Sequence, residues 1–337
     1  MMNNATVNIK LGLFNVENLF LLFDRPIPPN YQNLTEDEWQ KLSTSIYDNK
    51  PLKKCLSIAS IILKNEPDIM MVCEVGGLES LKNFNSLFLD SKYSCVLLEG
   101  NSNRNIDVGF LIKKDLPYFF DVISNKNRPL HFLYPHEILS QQHGFKIKAP
   151  SQLFSRDCLE LRLFLNNREK PFMILLLTHL KSRLDPERID PGGVERRSAE
   201  LRTVVSIYKE LEYQYPEIPV LVCGDLNGYA GKQNPDLEFL PIYQQTDLQD
   251  IFEVAGVSTD KRSTFYQIKN GNKAEGKQID YCFIPKKIWP HLASDCSVYL
   301  YTDHLGLPLN PPTTMDLKSQ LPSDHYPLFF TLENLPV

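Results

Sequence analysis

The chain has 337 residues, 42% apolar and 23% charged, with 41 acidic against 36 basic side chains and a net charge of −5. That is the composition of a soluble globular protein long enough to bury its core without disulfide or metal staples. The acidic balance weighs against tight, sequence-independent duplex binding, which calls for a basic face. No apolar run approaches the roughly 18 residues of a membrane span, so none is expected. The stretch from Leu11 to Phe23 is broken by Asn15, Glu17 and Asn18 and follows no basic region, so it does not read as a secretory signal. A cytoplasmic location is expected. The seven cysteines are odd in number, lack a C-x-x-C spacing and mostly sit inside apolar runs. They read as small hydrophobes in a reducing compartment.

Residues 7–14 read as a strand. Residues 24–50, with Pro26, Pro28, Pro29 and Trp39 among scattered polar residues, read as a long insertion. Leu52, Cys55, Ile58, Ala59 and Ile62 share one face of a predicted helix over 53–65, which Pro67 ends. A strand over 69–73, a short helix over 78–88 and strands over 93–98, 108–112 and 119–123 follow. Residues 125–155 are polar, with His131, His136 and His143, and read as loop. Strands over 159–165 and 172–177 form a pair joined by a turn at 166–170. The spacing of Leu201, Val204, Val205, Tyr208 and Leu211 predicts a helix over 195–213. Strands over 220–223, 263–266, 278–284, 297–301 and 328–332 complete the chain, with an irregular Pro-rich insertion at 302–322. Hairpin-like spacings with only some strands separated by helices predict a mixed α/β sandwich, sheets face to face and helices outside.

Six apolar runs carry short polar signatures: LGLFNVEN (11–18), DIMMVCEV (68–75), ILLLTHLKSR (174–183), VLVCGDLNG (220–228), KQIDYCFIP (277–285) and PSDHYPLFF (322–330). Carboxylates, amides and imidazoles at the ends of buried strands are costly unless they are paired. Their recurrence implies one shared polar site built for a metal and a phosphate. Because the signatures run from residue 15 to 325, any cut would split the site, so one domain over 1–337 is expected. Glu74 offers the carboxylate a hard divalent ion prefers; a surface glutamate at a strand end is the alternative. Asp225 and Asn227, two apart on an extended segment, share a face, with Gly224 and Gly228 permitting a tight turn. An Asx turn is their alternative. For Glu17 and Asn18 a turn is as good a reading as a catalytic role.

In this order and strand context the six signatures resemble the endonuclease/exonuclease/phosphatase superfamily, with its deoxyribonuclease-like fold, over roughly residues 8–333. The resemblance implies a four-layer α/β/β/α sandwich of two packed mixed sheets flanked by helices. It makes Glu74 the principal metal ligand, with Asn15 holding the metal or its surroundings and Asp324 reaching it. The metal implied is Mg2+, with Mn2+ as substitute. Asp225 orients or deprotonates the attacking water, and Asn227 positions the phosphate. Asp280 accepts a hydrogen bond from His325 and fixes its tautomer. His179 donates to the phosphate in the transition state; a histidine here, where AP endonucleases carry tyrosine, points away from an abasic-site specialist. Lys181 and Arg183 add positive charge toward the substrate, with a solvated loop as the alternative. Arg104, in a stretch similar to the family's Arg-Gly-Ile-Asp but with Asn105 for glycine, is a phosphate contact.

The implied activity is metal-dependent hydrolysis of a phosphoester P–O bond by activated water, as a phosphodiesterase or nuclease. The alternatives are a phosphatase or phospholipase acting on inositol phosphates or phospholipid headgroups, and a catalytically silent scaffold. The expected partner is a phosphoester substrate, nucleic acid among the candidates, and the chain is expected to be a monomer. The insertions at 24–50, 125–155 and 302–322 are expected to line the site. The basic segment 261–277, interleaved with Phe265 and Tyr266, reads as a charged hairpin, with a phosphate-backbone contact as the alternative. Segment 183–197 mixes both signs and reads as a solvated loop. The remaining histidines match no motif.

Overall fold

A computed structural model describes residues 6–146, 153–165, 168–186 and 188–337. In chain order the strands are β1 (Thr6–Leu19), β2 (Ile69–Val75), β3 (Tyr93–Leu97), β4 (Asp107–Lys113), β5 (Phe119–Ser124), β6 (Cys158–Phe164) and β7 (Met173–His179). They continue with β8 (Val220–Asp225), β9 (Gln249–Asp250), β10 (Phe265–Lys269), β11 (Lys273–Lys277), β12 (Asp280–Ile284), β13 (Ser297–Val298) and β14 (Leu328–Pro336). One six-stranded sheet runs β13-β14-β1-β2-β4-β3, a second runs β5-β6-β7-β8-β12-β9, and β10 and β11 form a separate hairpin.

The unbroken apolar runs belong to strands covered on both faces. In β7, Met173, Leu175 and Leu177 enter the core between the sheets, against Ile9, Leu11, Leu13, Ile69 and Met71. The alternate residues Ile174 and Leu176 face the other way, onto Leu201, Val204, Val205 and Tyr208 of the helix Val194–Gln214. The opposite outer face packs Phe14, Met70 and Val72 against the helices Leu52–Asn65 and Gly77–Phe88. Helices, sheet, sheet and helix thus stack as the four-layer α/β/β/α sandwich.

Two parallel pairs place the polar signatures. β1 pairs with β2, and β7 with β8, each pair joined through a helix in the chain between them. Asn15, Glu74, His179 and Asp225 stand at or near the carboxyl ends of these strands. β12 is antiparallel to β8 and opens with Asp280 opposite Asp225; β14 is antiparallel to β1 and follows His325. Strand ends and antiparallel strand starts therefore meet at one edge of the sandwich. Register shifts fall between Asn15 and Leu19 in β1 and between Cys73 and Val75 in β2. Glu17, Asn18 and Glu74 occupy these bulges at φ 48°, 53° and 64°. A bulge turns such a residue out of the ladder and re-aims its side chain.

Several expectations need correction. β1 continues to Leu19 through those bulges. The insertions are not structureless. Segment 24–50 holds a helix, Glu36–Gln40, with Trp39 fully buried, and 302–322 holds Met315–Ser319, capped by Thr314. Segment 125–155 holds Pro135–Gln142, whose Tyr134 N donates to Glu137 Oε2 at 2.7 Å. Helical periodicity missed these because they are short and locally capped. The charged hairpin expected over 261–277 is present as β10 and β11, paired from Phe265 opposite Lys277 to Lys269 opposite Lys273. At 297–301 only Ser297 and Val298 pair with β14. Residues 147–152 of the 125–155 insertion and 166–167 of the predicted turn lie outside the described residues. Among the described residues no helix is long and apolar enough to cross a membrane.

One buried charge makes stability pH-dependent. Asp250 is fully buried in β9; Gln278 Nε2 donates to its Oδ2 at 2.9 Å, and its Oδ1 has no hydrogen-bond partner among the described residues. Burial pushes this carboxyl up to about 7 against the Gln278 hydrogen bond. An unfolded aspartate titrates near about 3.9. The folded state therefore holds the proton more tightly, and this support is present at low pH and lost as pH rises through 7. Asp250→Asn is expected to gain on the parent by about 2–3 kcal/mol between pH 5 and pH 8. Urea denaturation at both pH values reads this; an offset that does not change with pH contradicts it.

Candidate active site

The polar edge of the sandwich carries a cleft of about 480 Å³ whose walls include Glu74, His179, Asp225, Asn227, Asp324 and His325. Across three adjacent strands, His179 stands opposite Asp225 and Asp225 opposite Asp280. Asp225 is fixed on both oxygens. Asn15 Nδ2 donates to its Oδ2 at 2.9 Å, and the Asn227 backbone N–H donates to its Oδ1 at 2.9 Å. Burial and the Asp280 charge push the Asp225 carboxyl up to about 7. Asn227 sits at φ 52°, with its Nδ2 donating to the Leu180 carbonyl at 3.1 Å.

His325 Nδ1 lies 2.8 Å from Asp280 Oδ2, which directs Nε2 toward Asp225 at 3.8 Å and Asp324 at 3.9 Å. Ser323 anchors the turn: its hydroxyl donates to the Asn15 carbonyl at 2.7 Å and accepts from His325 N at 3.1 Å. Burial disfavours the His325 charge, but the carboxylates of Asp280, Asp225 and Asp324 outweigh it and hold the imidazole well above its ordinary range. His179 is the opposite case. Burial, reinforced by Arg156 and His325, holds it well below its ordinary range, so the ring stays neutral. Its Nε2 lies 3.5 Å from Asp225 and 3.9 Å from Glu74. Glu74 Oε2 accepts from Asn18 N at 3.2 Å and lies 3.9 Å from Arg104, whose Nη2 also donates to Asn18 Oδ1 at 2.6 Å.

Most residues singled out from the sequence come together here, in distinct positions. Asn15 is buried behind Asp225 and braces it. Asp324 lines the cleft and pairs with Lys318 at 3.4 Å. Arg104 and Arg183 line it too, though Arg183 is engaged by Asp236 at 2.6 Å and by the Asn227 carbonyl at 3.1 Å. Lys181 lies in an adjoining cavity. The described residues of the insertions at 24–50, 125–155 and 302–322 supply none of the cleft's wall, contrary to expectation. The β10–β11 hairpin does so instead, through Phe265, Gln267 and Lys277. The Phe265 ring centroid lies 5.2 Å from that of His325, and Lys318 Nζ sits over the same ring, 3.5 Å from its centroid.

Arg156 was missed. It is buried, lines the cleft and donates from Nη1 to the Leu180 carbonyl at 3.2 Å. The readable signal was its position just before β6, which runs antiparallel to β7, so that its start lies beside the end of β7.

No protein-family model and no curated protein matches the sequence. Solved structures do. D. rerio TDP2 complexed with a single-strand DNA product is 14% identical, with 96% of this chain and 98% of that chain covered at a TM-score of 0.56. The catalytic domain of human Nocturnin with a bound sulfate anion is 15% identical, over 97% and 95%, at 0.57. An endonuclease/exonuclease/phosphatase family protein from Bacteroides thetaiotaomicron is 13% identical, over 98% and 99%, at 0.54. With the layer order and strand pairing above, the chain has the sandwich fold of the endonuclease/exonuclease/phosphatase superfamily.

Proposed function

We propose that the chain is a divalent-metal-dependent phosphoesterase that hydrolyses a phosphodiester by attack of water. The observation that carries this reading is the meeting of a doubly braced Asp225 with the Asp280–His325 pair, neutral His179 and Glu74 in one cleft. Asp225, held by Asn15 and Asn227, is placed to align the water and take its proton. His325 keeps its Nδ1 proton on Asp280 and turns Nε2 to the cleft, where an imidazolium offsets charge developing on the phosphoryl oxygens. His179 faces the same space as a neutral hydrogen-bonding group. Asn227 stands beside them to position the phosphate.

The donor chemistry fits a hard cation. Glu74, with Asp324, offers the carboxylate oxygens that suit magnesium or manganese, while the Asn15 amide oxygen accepts from Glu17 N at 3.0 Å and leaves Asn15 as the brace behind Asp225. Asp225, Asp280 and His325 also bring ligand atoms within 4.8 Å of one another. The 2.8 Å contact of His325 Nδ1 with Asp280, and the three carboxylates that hold the imidazole protonated, assign this trio to proton handling. Glu74 would hold such a metal, which would supply charge neutralisation at the phosphate. A diester within nucleic acid is the favoured substrate, since the open cleft is walled by Arg104, Arg183, Lys277 and the aromatic Phe265.

Hydrolysis of bis(p-nitrophenyl) phosphate is expected with magnesium, to vanish with EDTA and to return with added magnesium or manganese. Glu74→Gln is expected to raise the metal concentration for half-maximal rate by about 10-fold or more. Turnover indifferent to EDTA contradicts the metal requirement. Failure on this ester, plasmid, single-stranded DNA and RNA alike supports the silent-scaffold reading.

A further inference from the structure

Beside the catalytic cleft lies a second cavity of about 440 Å³, sharing Arg104, Arg156, Ser182 and Leu184 with it. Its lining adds Lys181 and Arg196. Arg156 is 6% exposed; its Nη1 donates to the Leu180 carbonyl and, at 3.4 Å, to Ser155 Oγ. Its Nε is buried without a hydrogen-bond partner, and no carboxylate among the described residues lies within 4.0 Å of the guanidinium. The same chain shows how it pairs a buried arginine of purely architectural use: Arg197 is 1% exposed and donates from Nε and Nη2 to Glu238 at 3.1 and 2.6 Å. Arg156 has no such paired counterion: the Glu200, Glu74 and Asp225 carboxylates favour its charge against burial, but only from beyond 4.0 Å. A buried charge without a hydrogen-bonded carboxylate is costly, and a buried donor left unmade is rare.

Lys181 repeats the pattern. Its Nζ donates to the carbonyls of Ser182 at 3.2 Å and Leu184 at 2.6 Å, and no carboxylate among the described residues pairs with it. The nearby acid, Glu200, is shared: it accepts from the backbone of Ser155 and Lys181 and stands 3.6 Å from Arg196. Burial, Arg156 and Arg196 pull Lys181 below its ordinary range, as expected where like charges crowd.

We propose that this cavity is a second phosphate site, holding a phosphate group of the substrate next to the one being hydrolysed. Arg156 lines both spaces and so stands between the two anions. A phosphate offers the Arg156 and Lys181 cations the close anionic partner that backbone carbonyls do not supply. The proposal rests on the phosphodiesterase reading above and narrows it to substrates carrying two phosphates, such as a strand segment or a bisphosphorylated nucleotide.

The test compares thymidine 5′-(p-nitrophenyl phosphate) with the same ester bearing a 3′-phosphate, both read at the released nitrophenolate. In the parent enzyme the added phosphate is expected to lower KM by about tenfold or more, with kcat changed far less. Lys181→Gln is expected to shrink the kcat/KM ratio between the two esters, and Lys181→Arg to retain most of it. A parent ratio near unity overturns the second site while leaving the phosphodiesterase reading intact. Hydrolysis of neither ester overturns both. The parent ratio decides the matter by itself should a Lys181 variant fold poorly. A lowered ratio in Lys181→Gln without any change in melting temperature separates phosphate binding from support of the loop.

Discussion

Asp225→Asn is expected to lower kcat by about 10²–10⁴-fold while the fold survives. The substitution keeps size and shape and removes the negative charge and with it the capacity to take a proton. The cost to stability is expected to be small because two effects oppose each other. One donor, Asn15 Nδ2 or the Asn227 backbone N–H, loses its acceptor, since an amide has one oxygen where the carboxylate has two. Against this, a buried carboxylate that burial and Asp280 already disfavour is gone. Steady-state rates on bis(p-nitrophenyl) phosphate and a thermal melt on the same preparation check both halves. A variant that melts like the parent and keeps most of its rate rejects Asp225 as the base. His325→Ala is expected to fall in the same range, and near-parental rates in both would end the assignment of this cleft as catalytic.

Gly224→Ala is expected to damage stability and activity together. Gly224 has φ 146°, and a Cβ there would lie 1.8 Å from the Thr178 carbonyl oxygen on the neighbouring strand. Backbone strain and overpacking each cost about 1–3 kcal/mol, so a combined loss of about 2–6 kcal/mol is expected. Thr178 and Gly224 are register partners, one step from His179 and Asp225. Relieving the clash by pushing β7 from β8 therefore moves both site residues. Guanidinium denaturation and kcat, measured on the same variant, test this. Parental values for both would show that the two strands do not approach this closely.

The strands were legible wherever burial on both faces produced an unbroken apolar run. β7 and β8 are the clearest cases, since each face has its own core to fill. The helix Val194–Gln214 was legible from the spacing of Leu201, Val204, Val205 and Leu211, which pack on those strands. The short capped helices were not, because their stability comes from local hydrogen bonds. These leave little trace in periodicity.

For the site, local sequence determined which polar residues end buried strands, because an unpaired carboxylate or imidazole there is too costly to be incidental. Tertiary structure alone decided how those residues point. Glu74 adopts a left-handed backbone angle that its side chain disfavours, and no pattern of residue types announces this. Antiparallel pairing brought Arg156 to the cleft from the start of β6, and the packing of the two sheets set Lys181 in the neighbouring cavity. Strand identity follows from burial, which is written locally. The direction of a side chain at a strand's end follows from register and bulges, which form only when distant segments pair.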